Sequence, residues 1–310
     1  MNYKQSQYLR VEQLIKDGII FNNDPGHGVF KKKSYPFMIN DNKNNLVNQY
    51  RSDVIDYFSS NRIAWWNGKL TNHPLSSQVA CANHLFPIRN DKEAVLSVIK
   101  GVCPDIIDVF PILTDKHSPA YILLESVSDA DHLNELSSTR GSNCTSIDAL
   151  IWGVHLDGRK ILFPIEWKYV ESYGNDDKAK GDKGVTRLSR YTDLINNSSQ
   201  LKSISHKVYY FEPFYQLMRQ TLWAEQMVAH KDSETIKADD FIHIHVIPTE
   251  NVDLLKKIYP CSGMVMENTW RNHLKDQSKY RIVHPKDFLS PISSLPYQEL
   301  VQYLNTRYWL

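Results

Sequence analysis

The 310-residue sequence has little cysteine and no long apolar run. Its cysteines, at positions 81, 103, 144 and 261, form no Cys-x-x-Cys pair, so we expect neither a zinc ribbon nor a disulfide framework. No apolar run approaches the roughly 18–20 residues that cross a bilayer. The N-terminal residues also lack the apolar core of a secretory signal. Together these absences predict a cytoplasmic protein that does not enter a membrane.

An excess of charge of either sign is lacking as well. Lys and Arg number 36 and Asp and Glu 35, so the formal net charge is +1 and no global field attracts a polyanion. Binding to nucleic acid must therefore come from local clusters. Because neither an internal repeat nor a convincing linker interrupts the chain, we predict a single domain over residues 1–310. Its core is expected at about 75–250, with helical extensions at 1–74 and 251–310.

Hydrophobic periodicity predicts alternating helices and strands. Apolar stripes and capping residues predict helices at about 1–20, 45–59, 76–100, 185–195 and 214–230, and short ones near 252–259, 263–274 and 297–308. β-Branched and aromatic runs predict strands at 106–112, 121–127, 145–155, 160–171 and 241–247. This order of elements indicates an α/β protein.

One tripeptide within these strands contains residue types that can take part in catalysis. Glu166-Trp167-Lys168 is the sole Glu-x-Lys in the sequence, and it lies inside the apolar run 160–171. The Asp-x-Lys copies at Asp41 and Asp176 stand in polar, loop-like surroundings. Residues two apart on a strand share a face, so Glu166 and Lys168 should point the same way, together with Val170.

The turn before this strand decides whether Asp148 joins them. A three-residue loop at 156–158 sets Asp148 directly opposite Glu166, whereas a two-residue loop sets it opposite Trp167, on the wrong face. Glycine at the third loop position favours the three-residue loop, a type I turn followed by a bulge. Pro164 offers a second route to a bulge, because it cannot donate to the ladder.

Directly opposite residues on paired strands have Cβ atoms about 4.5–5.5 Å apart, so the carboxylates of Asp148 and Glu166 can reach one cation. Carboxylate and carbonyl oxygens suit Mg²⁺ or Mn²⁺, and the backbone carbonyl of Trp167 is a further candidate ligand. Lys168 would then orient or help deprotonate an attacking water. The alternative is a surface hairpin with a Lys–Glu pair worth under about 1 kcal/mol.

These residues resemble a known superfamily. Ser146-Ile147-Asp148 followed by Glu166-Trp167-Lys168 on the next strand is similar to the PD-(D/E)xK phosphodiesterases, which have the restriction-endonuclease-like fold. A set of motifs resembles, more specifically, a bacterial group of restriction endonucleases, and the resemblance covers residues ~25–250. These motifs are Arg140-Gly141, Thr145–Ala149, Ile165–Tyr169 and Ser76-Ser77-Gln78.

The resemblance implies an α-β-β-β-α-β core, a mixed central sheet flanked by helices, here with helical additions at both ends. It implies a metal-dependent endonuclease that hydrolyses DNA phosphodiester bonds with Mg²⁺, for which Mn²⁺ would substitute. Asp148 and Glu166 match the metal-binding acids and Lys168 matches the lysine. Ile147 stands where the superfamily name has a proline.

A third acidic ligand is left open by the sequence. Glu125, on the strand predicted at 121–127, is favoured over Glu93 on the preceding helix. Gln78, on the expected inner face of that helix, is a candidate contact for water or phosphate. His243 and His245 share a strand face, but without a third ligand at telling spacing we expect them to be core or surface histidines.

Basic side chains that follow the catalytic strand are candidate contacts to DNA phosphates, which position a duplex without reading its sequence. They are Lys178, Lys180, Lys183, Arg187 and Arg190, with Lys31-Lys32-Lys33 as a second basic run. Each run is also typical of a solvated loop. Double-strand cleavage favours a homodimer with two active sites. The rival functions are a non-catalytic nucleic-acid-binding subunit and a nuclease acting on RNA or single-stranded ends.

Overall fold

A long antiparallel hairpin forms the centre of the fold. A computed structural model of the protein describes residues 1–65, 68–113, 119–136, 144–204 and 207–309. The Arg140-Gly141 motif lies outside these ranges.

The elements are numbered here in chain order. The α-helices are α1 (Tyr3–Asp17), α2 (Arg51–Ser60), α3 (Ser77–Leu85), α4 (Lys92–Val102), α5 (Gly181–Asn197), α6 (Phe214–Ala229), α7 (Val252–Leu255), α8 (Met266–Asn272), α9 (Pro285–Leu289) and α10 (Gln298–Arg307). The β-strands are β1 (Val29–Phe30), β2 (Lys33–Ser34), β3 (Ile106–Val109), β4 (Ile112–Leu113), β5 (Pro119–Ala120), β6 (Leu123–Ser126), β7 (Ile147–His155), β8 (Lys160–Trp167), β9 (Asp240–Phe241), β10 (His243–Val246) and β11 (Tyr280–Val283).

The β7–β8 hairpin turns through the three-residue loop that the sequence predicts. Gly158 has a φ of 87°, a left-handed conformation that costs glycine no Cβ clash. The N–H of His155 donates to the carbonyl of Arg159 at 2.9 Å, which closes the loop. Pairing then continues to Ala149 opposite Ile165. The predicted register is therefore confirmed.

The central sheet combines parallel and antiparallel strands. β8 pairs parallel with β10, and β10 pairs parallel with β11. On the other side, β7 pairs antiparallel with β6 over its first half and with β3 over its second half. The order β11-β10-β8-β7-β3 gives a mixed sheet with helices on its faces. This agrees with the α/β, restriction-endonuclease-like fold expected from the sequence.

Both faces of the sheet are buried, and β8 shows how. Ile165 and Trp167 point into a core with α3, α4 and the terminal helices, whereas Leu162 points into a core built around α6. Strands buried on both sides read as nearly continuous apolar runs, which is why residues 161–165 contain no charge. A charged residue on such a strand therefore needs a partner.

Several predicted elements are confirmed and others need correction. The β8 strand ends at Trp167, not near 171, so its alternation does not continue and Val170 packs in the core on the Trp167 side, contrary to the prediction. The second helix begins at Arg51, because the Asn-rich segment before it forms 3-10 turns.

The C-terminal addition is also more than helical. β11, which was not predicted, lies within residues 251–310 and pairs in parallel with β10 at the sheet edge. The division of the chain into a core and two extensions remains a prediction. Among the residues that the structure describes, none of the helices combines the length and apolar character that a bilayer crossing requires.

Candidate active site

A cleft of about 920 Å³ opens where β7 and β8 meet α6. The side chains of Asp148, Glu125 and Gln78 line it from the sheet and from α3, and α6 contributes Gln216 and Gln220. Residues of the N-terminal extension form another wall, and residues 144–146 and 170–173 complete the lining. Asp148 and Glu125 thus lie at one cleft, whereas Glu166 and Lys168 are buried and are not among the residues that line it.

Asp148 follows the hairpin register. One step beyond the last paired residues, Ala149 and Ile165, it stands opposite Glu166. Its Oδ2 accepts a hydrogen bond of 2.7 Å from the backbone N–H of Trp167. This bond fixes the carboxylate across the hairpin through the N–H of Trp167, and the carbonyl of that residue stays a predicted ligand.

Glu166 and Lys168 form a buried ion pair. Only 1% of Glu166 and 5% of Lys168 are exposed. The Lys168 ammonium contacts Oε1 of Glu166, and the side-chain amide of Gln220 donates to Oε2. Lys168 also donates to Oε1 of Gln216 at 2.6 Å. An amide-bearing face of α6 therefore holds both members of the Glu-x-Lys motif.

The neighbouring carboxylates make ionisation of Asp148 unfavourable. Burial raises the pKa of Asp148 well above its usual value, and the negative charges of Glu166 and Glu125 raise it further. The Lys168 ammonium and the Trp167 N–H oppose that shift without cancelling it. If Asp148 ionised without a bound cation, the site would therefore carry more negative charge than its single ammonium compensates.

Lys168 is protonated in this arrangement. Burial works to lower its pKa, but the neighbouring negative charges, Glu166 foremost, raise it well above the usual value. A lysine held in this state donates hydrogen bonds and carries positive charge. It does not act as a free base.

Glu125 lies at the cleft and Glu93 does not. Glu125 is 7% exposed, and its backbone has a φ of 50°, in the left-handed region that non-glycine residues rarely adopt. Gln78 donates to its Oε1 and Ser146 to its Oε2, both at 2.7 Å. Glu93 is exposed near the start of α4 and is not among the residues that line the cleft.

The donor set fits a hard divalent cation with one qualification. Within the described ranges no group of three His, Cys, Asp or Glu side chains is arranged to hold a metal ion. A metal would therefore rest on Asp148 and Glu166 together with amide, carbonyl and water oxygens. Oε1 of Gln220 is buried there and has no hydrogen-bond partner among the described residues, so it is an acceptor that a cation would satisfy.

Of the predicted basic contacts, Lys31 lines the cleft, whereas those that follow the catalytic strand are not among the lining residues. Lys180 is exposed and immediately precedes α5, and Arg187 donates to the carbonyl of Lys178 at 3.0 Å. Arg190 lies over the ring of Tyr191. The basic side chains that do line the cleft are those of Lys4, Lys31 and Arg219, and of these the basic-run analysis had named Lys31.

Sequence reasoning missed the polar face of α6. Gln216, Arg219 and Gln220 stand at i, i+3 and i+4, so they share one side of the helix. Arg219 is fixed by Glu135, with 3.0 Å between its Nη2 and Oε1 of that residue. The available signal was a fully buried glutamine in a helix whose inward positions are otherwise mostly apolar.

The β10 histidines are buried core residues, as expected. Both are fully desolvated, and burial lowers the pKa of His243 to about 3. His245 pairs in register with Glu166, and its Nδ1 shares a hydrogen bond of 2.8 Å with the hydroxyl of Tyr280. Tyr209 and Tyr210 are buried as well.

The mixed sheet and the acid pair at the end of its central hairpin place the protein among restriction-endonuclease-like α/β proteins. A sequence model of the family described as "Restriction Endonuclease associating with ARP" matches residues 6–309. The chain belongs to this family. No curated protein and no solved structure matches it.

Proposed function

We propose that this chain is a metal-dependent endonuclease that hydrolyses phosphodiester bonds in double-stranded DNA. Its setting would be bacterial restriction or defence in the cytoplasm. The observation that carries the proposal is the hairpin register, which sets Asp148 opposite Glu166 with Lys168 paired to Glu166. Family membership supports the nuclease class, and the charge of the site supports the cofactor.

Mg²⁺ is the proposed cofactor, with Mn²⁺ as a substitute. Asp148 and Glu166 would hold it through their carboxylates, the carbonyl of Trp167 would add a ligand, and Glu125 would support it from the neighbouring strand. A divalent ion at this position lowers the pKa of water and stabilises negative charge on a phosphate. To bind it, Glu166 must exchange one contact, to Lys168 or to Gln220.

The protein's own groups then have distinct tasks. Lys168, protonated and held by Gln216, donates to the attacking water or to the phosphate and offsets charge that develops during the reaction. Gln78 keeps the Glu125 carboxylate in place and is also our candidate contact for water or phosphate. The positions of these groups relative to one another, more than any single group, would set the geometry of the reaction.

DNA would be positioned through its phosphates. Lys178, Lys180, Arg187 and Arg190 are the proposed contacts on the α5 side of the cleft, and Lys31 is one on the N-terminal side. A homodimer would provide the two active sites that cutting both strands requires. The family description names an association with ARP, and we extend to this chain the proposal that it acts with such a partner.

Plasmid nicking by the full chain in Mg²⁺ tests the proposal. Asp148→Asn and Lys168→Ala are expected to lower the nicking rate at least about 100-fold, the usual scale for loss of one preorganised electrostatic contact. Asp232→Asn, a charge-matched change at an exposed position outside the cleft, should leave the rate unchanged. Variants at Asp148 and Lys168 that cleave as fast as wild type would end the assignment.

A non-catalytic nucleic-acid-binding subunit is the second candidate. It is favoured by one observation, that both carboxylate oxygens of Glu166 are already engaged, by Lys168 and Gln220. Calorimetric titration separates the two functions. Binding of Mg²⁺ or Mn²⁺ that disappears in Asp148→Asn supports the nuclease, whereas absence of binding supports the subunit. RNA and single-stranded substrates, assayed alongside plasmid, decide the remaining alternative.

A further inference from the structure

The wall of the cleft that comes from the N-terminal extension is aromatic. We call this set of five rings the aromatic wall: Tyr8, Phe30, Tyr35, Phe37 and His73. Tyr8 and Phe37 stack with 4.0 Å between ring centroids and 25° between planes. Tyr35 lies 5.2 Å from Phe37, and His73 lies 5.7 Å from it. The rings form one continuous surface.

This surface faces the cleft, whereas a core would enclose it. Tyr8, Tyr35 and Phe37 are each half-buried, in contrast to Phe21 and Phe58 of the adjacent core, which are fully buried. Large aromatic rings left at a cavity wall keep an apolar face in contact with water. Such faces are the surfaces on which nucleic-acid bases stack, with little dependence on base identity.

Positive charge lies at the rim of the aromatic wall. The Lys31 ammonium is 5.5 Å from the Phe30 ring centroid, and the Lys4 ammonium is 6.0 Å from that of Tyr8. Neither lysine has a carboxylate within 4 Å in the part of the chain that the structure describes. His73 adds a neutral ring, since burial, assisted by the charge of Lys4, lowers its pKa to about 4. Neutral rings beside unpaired cations match a base and its phosphate.

The backbone conformation of Lys31 is unfavourable for a non-glycine residue. It and Lys32 form the two-residue turn between β1 and β2, with φ of 47° and 67°. Such a turn normally carries Asn-Gly, and a non-glycine residue in this region costs about 1–2 kcal/mol. Lysine at the turn therefore brings a conformational cost, which a contact made by its side chain would offset.

We propose that the aromatic wall binds unpaired nucleotides of the substrate, so that the cleft accepts DNA where the strand is locally single-stranded. The inference rests on the proposed function and specifies its substrate. Bases within an intact duplex are stacked on each other and cannot also stack on protein rings, so occupancy of the wall requires an unstacked base. The cleft volume of about 920 Å³ lies in the range of pockets that enclose ligands of nucleotide size.

Fluorescence anisotropy with the full chain in EDTA tests the inference without cleavage. The probes are a duplex with a short single-stranded gap and an intact duplex of the same sequence. Tyr8→Leu and Tyr35→Leu keep apolar bulk and remove the stacking face. Each is expected to weaken binding of the gapped duplex about tenfold and to change binding of the intact duplex less than twofold.

Phe110→Leu is the matched control. Phe110 is also a half-buried ring, packed on Trp152 at 4.5 Å with Lys160 at 5.5 Å, but it is not among the residues that line the cleft. The Phe110→Leu variant should bind both probes as wild type does. Thermal melts establish that each variant is folded, and crosslinking of 5-iodouracil placed in the gap to Tyr8 or Tyr35 gives a second readout in the wild-type protein.

The possible outcomes separate the two proposals. If wild type binds the gapped duplex and the folded tyrosine variants bind it equally well, the aromatic wall is not a stacking platform, while the nuclease proposal stands. A crosslink confined to residues outside the aromatic wall has the same meaning. If wild type binds neither probe at any salt concentration, the stacking platform fails, and the nicking assay in Mg²⁺ decides the nuclease proposal separately.

Discussion

Asp148→Asn should make the metal-free protein more stable while it abolishes cleavage. Asparagine keeps the shape of aspartate, and its carbonyl oxygen can still accept the hydrogen bond from the Trp167 N–H. What it removes is a buried carboxyl group whose ionisation beside Glu166 and Glu125 is unfavourable. The difference in stability between Asp148→Asn and wild type therefore measures the electrostatic cost of the site.

The size of the effect follows from the hairpin geometry. Carboxylates about 5 Å apart, as directly opposite residues allow, repel by about 3 kcal/mol at an effective dielectric constant near 20. The attraction of Lys168 and the weaker hydrogen bond to a neutral acceptor take back about 1–2 kcal/mol. A net gain of about 1–2 kcal/mol in the free energy of unfolding at pH 7 remains, which corresponds to roughly 2–4 °C in Tm.

The stability difference between Asp148→Asn and wild type also depends on pH. The pKa of Asp148 is raised in the folded protein, so its ionised form destabilises the fold at pH 7, and that cost disappears as the pH falls through the raised value. The advantage of Asp148→Asn should therefore shrink on acidification. Thermal melts in EDTA across a pH series measure it, and Asp232→Asn serves as the control that removes an exposed charge.

Addition of Mg²⁺ should reverse the order. A ligand at about 100 times its Kd stabilises the protein that binds it by about 2.7 kcal/mol, which wild type should gain and Asp148→Asn should not. Two results would refute the reasoning. One is Asp148→Asn melting below wild type in EDTA, which would mean that the carboxylate stabilises the fold. The other is an equal response of both proteins to Mg²⁺.

Two further predictions concern the buried lysine of the same site and two buried histidines. Lys168→Met should lower the free energy of unfolding by about 3–5 kcal/mol in urea titrations, because it leaves the Glu166 carboxylate unpaired in the core; a loss below about 1 kcal/mol would contradict the buried pair. Burial lowers the pKa of His84 and of His243 to about 3, so each stabilises the fold above pH 6.5 and loses that contribution as the pH falls towards 3. Stability should drop by about 2 kcal/mol per histidine between pH 7 and pH 5, and His243→Gln, measured by urea titration at both pH values, should reduce that slope; an unchanged slope would contradict it.

The sequence predicted the centre of the site because its geometry is encoded locally. A glycine at the third loop position sets the hairpin turn, and alternation along two strands then carries the register from residue 158 to Asp148 and Glu166. The face shared by Glu166 and Lys168 follows from the same alternation, which fails at Val170 because the strand has already ended.

The partners from distant segments could not be predicted in this way. Gln216 and Gln220 meet the motif because α6 packs across the sheet, a tertiary contact that no local pattern specifies. β11 lies about 30 residues beyond β10 in the chain, and only its pairing identifies it as a strand of the central sheet. The sequence alone could not decide between Glu125 and Glu93 as the third acidic ligand. The structure distinguishes them, because Glu125 lines the cleft and Glu93 does not.

The polar groups beneath the cleft are costly for the fold, and that cost indicates their use. A buried ion pair such as Glu166–Lys168 is often no more stabilising than well-packed apolar residues of the same volume. Its surroundings on β8 are apolar, and α6 supplies amides at the two positions that face it. Two segments far apart in sequence thus both depart from the apolar pattern at the same point. Departures of this kind are expected where a site is built, because selection for binding or catalysis there outweighs packing.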